Sequence, residues 1–299
     1  MTVAPVPNVA HICEERMIIY LIFCTLIFAI ISVMELIGYF AAVLIGISLG
    51  LIGGGGSILT VPLLVYIFHL PPVMAVSYSL FIVGTTSLLG AFNNFRKGQA
   101  SFNLALPLGI VSPATVFFIR RYVVPHIPEQ LWMAGKFAIT KSVLTMILFA
   151  VLMLAASISM LKKTVNPSTK AAPVRSIKDY FQLALFGLGI GCVTGFLGAG
   201  GGFLIIPALV LMLKLPMKEA VGTSLFIIAI NSLVGFAGDL GHYDIDWLFL
   251  LSISAIAAAG ILIGAQLAKK IPSDKLKRGF GWFVLVMGIY IIVQELMVL

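Results

Sequence analysis

The chain has 299 residues, of which 61% are hydrophobic and only 10% charged, and its mean hydropathy is +1.13. Soluble domains sit near half apolar and a quarter charged, so this composition excludes an ordinary soluble protein. The net charge of +8 then reads as basic loops beside a lipid bilayer, with no nucleic acid expected as partner.

In chain order, a short head over 1–16 carries His11, Glu14, Glu15 and Arg16, followed by an apolar run over 17–33. No small-residue cleavage site follows that run, which predicts one extra transmembrane helix rather than a removable signal. Ten further apolar segments fall into two sets of five. The first set is 37–53, 57–69, 73–94, 104–120 and 138–161, the second 180–197, 203–213, 218–238, 247–268 and 279–298. A basic linker, 162–178, separates a first half (37–161) from a second (179–299). The second member of each set is short: 11 to 13 residues make about 20 Å of helix, against a hydrocarbon core of ~30 Å. The expected fold is an all-α polytopic membrane protein. Cys13, Cys24 and Cys192 have neither metal nor redox spacing, and no cofactor is expected.

The two halves are copies. Shifted by 145 residues, "GLIGGGGSILTVPLLVYIFHLPPVMAVSYSLFIVGTTSLLG" (50–90) falls without a gap on "GFLGAGGGFLIIPALVLMLKLPMKEAVGTSLFIIAINSLVG" (195–235). Of the 41 positions, 19 are identical, including Gly53/Gly198, Gly55/Gly200, Gly56/Gly201, Pro62/Pro207, Pro71/Pro216 and Ser79/Ser224. Shared composition gives scattered matches, but not glycines, prolines and serines in register.

Charge orients the copies. The third segment of the first half is followed by Arg96 and Lys97, that of the second by Asp239, Asp244 and Asp246. Further basic clusters occupy the linker (Lys162, Lys163, Lys170, Arg175, Lys178) and 269–278. Positive-inside logic puts the basic loops and the N-terminus in the cytoplasm, and the acidic loop and C-terminus outside. The repeats are then inverted, with the bacterial cytoplasmic membrane as the expected location. Arg120 and Arg121 resist this scheme, since they fall on the outer side.

Interrupted hydrophobic segments in matched places of inverted repeats point to a transporter's central site. Consecutive glycines end a helix, and the next short helix is expected near Ser57 in one half and Phe203 in the other. The first backbone N–H groups of such a helix have no intrahelical acceptor and suit an anion. The candidate binding residues are Gly54, Gly55, Gly56 and Ser57 in the first break, and Gly200, Gly201, Gly202 and Phe203 in the second. Ser57 would cap its helix or contribute a hydroxyl. The alternative is that these glycines serve only close helix packing, the reading given to Gly187, Gly189 and Gly191. Ser79, Thr223, Ser224 and Asn231 are added as polar groups beyond the breaks; capping or helix–helix bonding would equally explain them. Asn93 and Asn94 are assigned to a loop. Glu35, Lys136 and Lys141 are ionisable groups inside apolar runs, which snorkelling at an interface would also satisfy. His242 reads as a solvated loop residue.

The stretches "GFLGAGGGFLIIPAL" and "AVGTSL" with Trp247, and the more divergent "GLIGGGGSILTVPLL" and "AVSYSL" with Phe102, resemble the sulfite exporter TauE/SafE family over about 37–298. That resemblance implies transport of small sulfur-containing anions: sulfite, thiosulfate or organosulfonates. Tyr78, where the second half has Thr223, departs from the pattern and is expected to reshape one wall of the site. The reading is a secondary transporter or facilitator of a small inorganic or organic anion by alternating access. Proton coupling and oligomeric state stay open, and an anion channel or accessory subunit is the alternative. No H-E-x-x-H motif supports an enzyme, and neither glycine-rich run is followed by a P-loop lysine.

Overall fold

The computed structural model describes residues 36–51, 54–96, 102–128, 130–134, 137–161, 177–198, 200–211, 215, 217–267 and 273–298. The head 1–16, the run 17–33, Glu35, Gly53, Lys136 and all but the last residues of the linker lie outside them.

The described chain is almost wholly helical. Its helices are α1 (Leu36–Leu51), α2 (Thr60–Tyr66), α3 (Pro72–Arg96), α4 (Phe102–Phe118), α5 (Lys141–Leu161), α6 (Ile177–Leu197), α7 (Gly202–Leu211), α8 (Met217–Asp239), α9 (Trp247–Leu267) and α10 (Ser273–Val298). Among the described residues, five segments are long and apolar enough to cross a bilayer: Pro72–Arg96, Leu108–His126, Lys141–Ile158, Glu219–Asp239 and Trp247–Leu267. Large side chains such as Phe40, Phe181, Leu248 and Leu296 point outward from the bundle. In water that would be costly; against lipid tails it is not. The protein is a polytopic helical membrane protein.

Three local departures from expectation have physical causes. The first glycine run does not lead straight into an α-helix at Ser57: Gly54–Leu59 winds as a 3-10 helix, and α2 begins at Thr60. Glycine's poor α-propensity leaves this stretch in the tighter winding. Ser57 lies inside it and so is not the cap of α2, whose N-cap is Leu59. Asn93 and Asn94 belong to α3, which runs on to Arg96. Finally, two short antiparallel strands, β1 (Gln130–Ala134) and β2 (Phe137–Thr140), precede α5, which therefore starts at Lys141. Phe137 and Ile139 suit a strand better than a helix end.

Helix packing repeats across the two halves. Gly46 and Gly50 of α1 press on the backbone of Ala257, Gly260, Ile261 and Gly264 of α9. At the equivalent places 145 residues along, Gly191 and Gly195 of α6 press on Ser112, Thr115 and Ile119, at the end of the α4 column. Small residues let the backbones approach in both contacts. The copies α3 and α8 pack on each other with opposite polarity: the Phe81 ring meets that of Phe236 at a tilt of 58°, Gly84 touches Leu233, and Gly90 touches Leu225. Rising positions on one helix meet falling positions on the other. They are antiparallel.

Candidate functional site

The second glycine break is a left-handed turn. Gly198, Gly200 and Gly201 have φ of 65°, 64° and 69°, a region open to glycine and costly for side chains. The Gly198 amide donates to the Thr194 carbonyl at 2.8 Å and closes α6. The amides of Leu204 and Ile205 donate to the Gly201 carbonyl at 2.9 and 3.0 Å and open α7. That leaves the N–H groups of Gly202 and Phe203, at the positive end of α7, without intrahelical acceptors.

Helices α3, α6 and α8 enclose this turn. Ser79 of α3 donates to the Gly198 carbonyl at 2.9 Å, so a serine of the first half holds the break of the second. A Cβ on Gly200 would lie 2.9 Å from Ser232 Oγ, and one on Gly201 would lie 2.3 Å from Thr194 Oγ1. The missing side chains are what admit these hydroxyls. Both oxygens are buried and have no hydrogen-bond partner among the described residues. Asn231, beside Ser232, donates to Ser112 Oγ at 2.8 Å, and its Oδ1 has no partner among the described residues. An unsatisfied buried polar group costs about 1–3 kcal/mol, so several together need a reason.

The first half has its own break and its own buried hydroxyls. Its 3-10 segment, containing Gly54, Gly55, Gly56 and the buried Ser57, packs against α7. Ser87, the repeat partner of Ser232, is likewise buried with a partnerless hydroxyl, as are Thr60 and Ser77.

The structure thus brings Ser79 to the turn that holds Gly200, Gly201 and Gly202, while Asn231 lies beside Ser232 on α8 and bonds to α4. Ser224 stays apart, donating back to the Val221 carbonyl within α8, and Thr223 is buried on the same helix. Phe203 is the second residue of α7. Tyr78 has contacts of its own: its hydroxyl accepts from the Asp246 amide at 2.7 Å, and its ring packs beside Phe249. Sequence reasoning missed Thr194, Ser232 and Ser87. The Ser87/Ser232 identity stood in the repeat alignment; Thr194 matches Leu49 and carried no such signal.

The two resistant arginines also find their places. Arg120 is buried and forks onto Asp239, its Nε donating to Oδ1 at 2.7 Å and its Nη2 to Oδ2. Arg121 donates to the Leu240 carbonyl at 3.2 Å and meets His242 Nδ1. The ends of α4 and α8 therefore share one face of the bundle.

Beside the turn lies a cavity of about 270 Å³, bounded by Val73, Val76, Arg120, Lys141, Leu148 and Leu197. Val76 is common to both, since a Cβ on Gly198 would fall 2.4 Å from its Cγ1.

The profile of the sulfite exporter TauE/SafE family matches residues 38–291. The chain belongs to that family. Three proteins similar to this TauE/SafE chain are named probable membrane transporter proteins. One from Xylella fastidiosa (strain 9a5c) is 27% identical over 252 residues, 83% of this chain and 91% of the relative. YdhB of Bacillus subtilis is 27% identical over 236 residues, covering 78% and 90%. MJ0441 of Methanocaldococcus jannaschii is 26% identical over 266 residues, covering 83% and 92%. No solved structure matches. This TauE/SafE chain is a membrane transporter.

Proposed function

We propose that the protein carries a small oxyanion, sulfur-containing by family, across the membrane at the paired glycine breaks. The observation that carries this reading is the pair of partnerless buried hydroxyls, Thr194 and Ser232, on a left-handed glycine turn at the start of α7. Hydroxyl and backbone N–H donors around a glycine turn suit sulfite, thiosulfate or a sulfonate group, because each oxygen can accept from a short, neutral donor. Neutral donors also hold an anion without the strong attraction of a fixed cation, which favours release.

In this reading the halves are inverted repeats. The antiparallel packing of α3 on α8 and the matched glycine contacts of α1 and α6 support it. The shared face of Arg120, Asp239 and His242 removes the objection that two arginines stood alone outside. That face is then extracellular, the linker 162–178 cytoplasmic, and alternating access rocks one repeat against the other.

Flux into proteoliposomes tests the proposal. Saturable uptake of sulfite, thiosulfate or an organosulfonate, lost in a folded Gly200→Leu variant, would support it. Wild-type flux in that variant would remove the site. Repeating the assay with and without a pH gradient reads proton coupling.

A further inference from the structure

We propose that Arg120 is a second anion site, apart from the glycine breaks. Asp239 is its resting occupant, and its ligand is a monoanionic organic acid, a carboxylate or sulfonate with a small apolar body.

Arg120 is only 1% exposed and sits in a π-helical turn, Ile119–Val123, that widens the end of the α4 column. Such turns are frequent at functional sites, because the extra residue re-aims side chains. Here it directs Arg120 onto Asp239 and Arg121 onto the next residue of the same helix end. Two parallel donors on two carboxylate oxygens form the geometry by which guanidinium takes any planar or tetrahedral oxyanion.

Asp239 is poorly placed for a permanent partner. It is the last residue of α8, where the helix dipole disfavours a carboxylate. Asp239 is only 1% exposed, but the chain directly beyond it turns through Gly241 at φ 85° into the exposed His242. An incoming anion on Arg120 would leave no guanidinium buried and unpaired.

The cavity sets the rest of the ligand. Arg120 and Lys141 line its polar end, Lys141 also donating to the Val124 carbonyl at 2.6 Å, while Val73, Val76 and Leu197 make apolar walls and the exposed Leu144 and Leu148 its outer side. Apolar pockets with one polar end orient amphipathic ligands, and about 270 Å³ suits a short tail. A bare inorganic oxyanion would leave those walls unfilled.

The full chain in lipid nanodiscs, titrated calorimetrically with ethane-, butane- and hexanesulfonate and the matching carboxylates, tests this. Affinity should rise about three- to fourfold per methylene until the cavity is filled; the better series identifies the head group. Asp239→Asn removes the tethered competitor and should bind at least tenfold tighter. The double variant Arg120→Gln/Asp239→Asn leaves no unpaired charge, so it should fold and lose the gain of alkanesulfonate affinity with chain length. It should keep any sulfite binding at the glycine turn, which separates the two sites. Thr145→Phe, on a cavity-lining residue whose hydroxyl bonds back to the Lys141 carbonyl, should erase the gain with chain length. Equal affinity along the wild-type series, or an unchanged chain-length gain in the double variant, would overturn the proposal. Should Asp239→Asn not fold, the chain-length series and Thr145→Phe decide it.

Discussion

Ser79 Oγ donates to the carbonyl of Gly198 across 119 residues of sequence, at 2.9 Å and fully out of solvent. One half of the molecule thereby fixes the backbone turn of the other. Ser79→Ala should cost about 1–3 kcal/mol, the desolvation of an orphaned acceptor. Unfolding titrations in mixed micelles would measure it. A loss of transport larger than the loss of folded protein would tie the bond to the turn's geometry rather than to stability alone.

The glycines separate into those a side chain would strain and those it would not. Gly198→Ala places a Cβ 2.4 Å from Val76 Cγ1 at a φ of 65°. Expected costs are about 1–2 kcal/mol for the left-handed backbone and about 1–3 kcal/mol for overpacking. Gly189 is helical, and its Cβ would meet nothing within 4 Å. Gly189→Ala should therefore be neutral or stabilising by about 0.5–1 kcal/mol. Equal losses at both positions would refute the packing described.

Thr194→Val and Ser232→Ala remove hydroxyls that have no partner among the described residues. Each should leave stability unchanged or raise it by about 1 kcal/mol, because a buried unsatisfied group is deleted. Flux of the anion should nevertheless fall by about tenfold per lost hydrogen bond, at roughly 1.4 kcal/mol each. A drop in both stability and flux would instead mark the hydroxyls as structural.

Arg120 and Asp239 form a buried ion pair between the ends of α4 and α8. Arg120→Met alone should destabilise by about 3–5 kcal/mol, since it strands a buried carboxylate. Arg120→Met/Asp239→Leu should recover most of that loss. Thermal unfolding of the two variants side by side would decide; an equally unstable double variant would show that packing, not charge, is at stake.

Tags in the 162–178 linker and at the C-terminus test the inverted arrangement. They should be labelled from opposite sides of the membrane by an impermeant reagent. Labelling from one side would defeat it.

Composition and pattern alone determined the membrane class, the helix list and the repeat. These are local properties: a 17–25-residue apolar run needs no knowledge of its neighbours, and register between Gly50–Gly90 and Gly195–Gly235 is visible by alignment. The glycine break was also legible, because four successive residues without Cβ cannot continue an ordinary helix. Its form was not. Gly54–Leu59 winds as a 3-10 helix while Gly198, Gly200 and Gly201 are left-handed, a difference between the two breaks that the shared glycine pattern does not show.

Only tertiary structure decided which polar groups meet. Nothing in "RRY" or "GDL" says that Arg120 pairs with Asp239, because an ion pair across 119 residues is a fact of helix packing. Thr194 likewise gains its meaning from Gly201, whose missing side chain admits its hydroxyl. Hydrophobic patterning tells a helix which solvent it faces; close packing tells it which partner it touches.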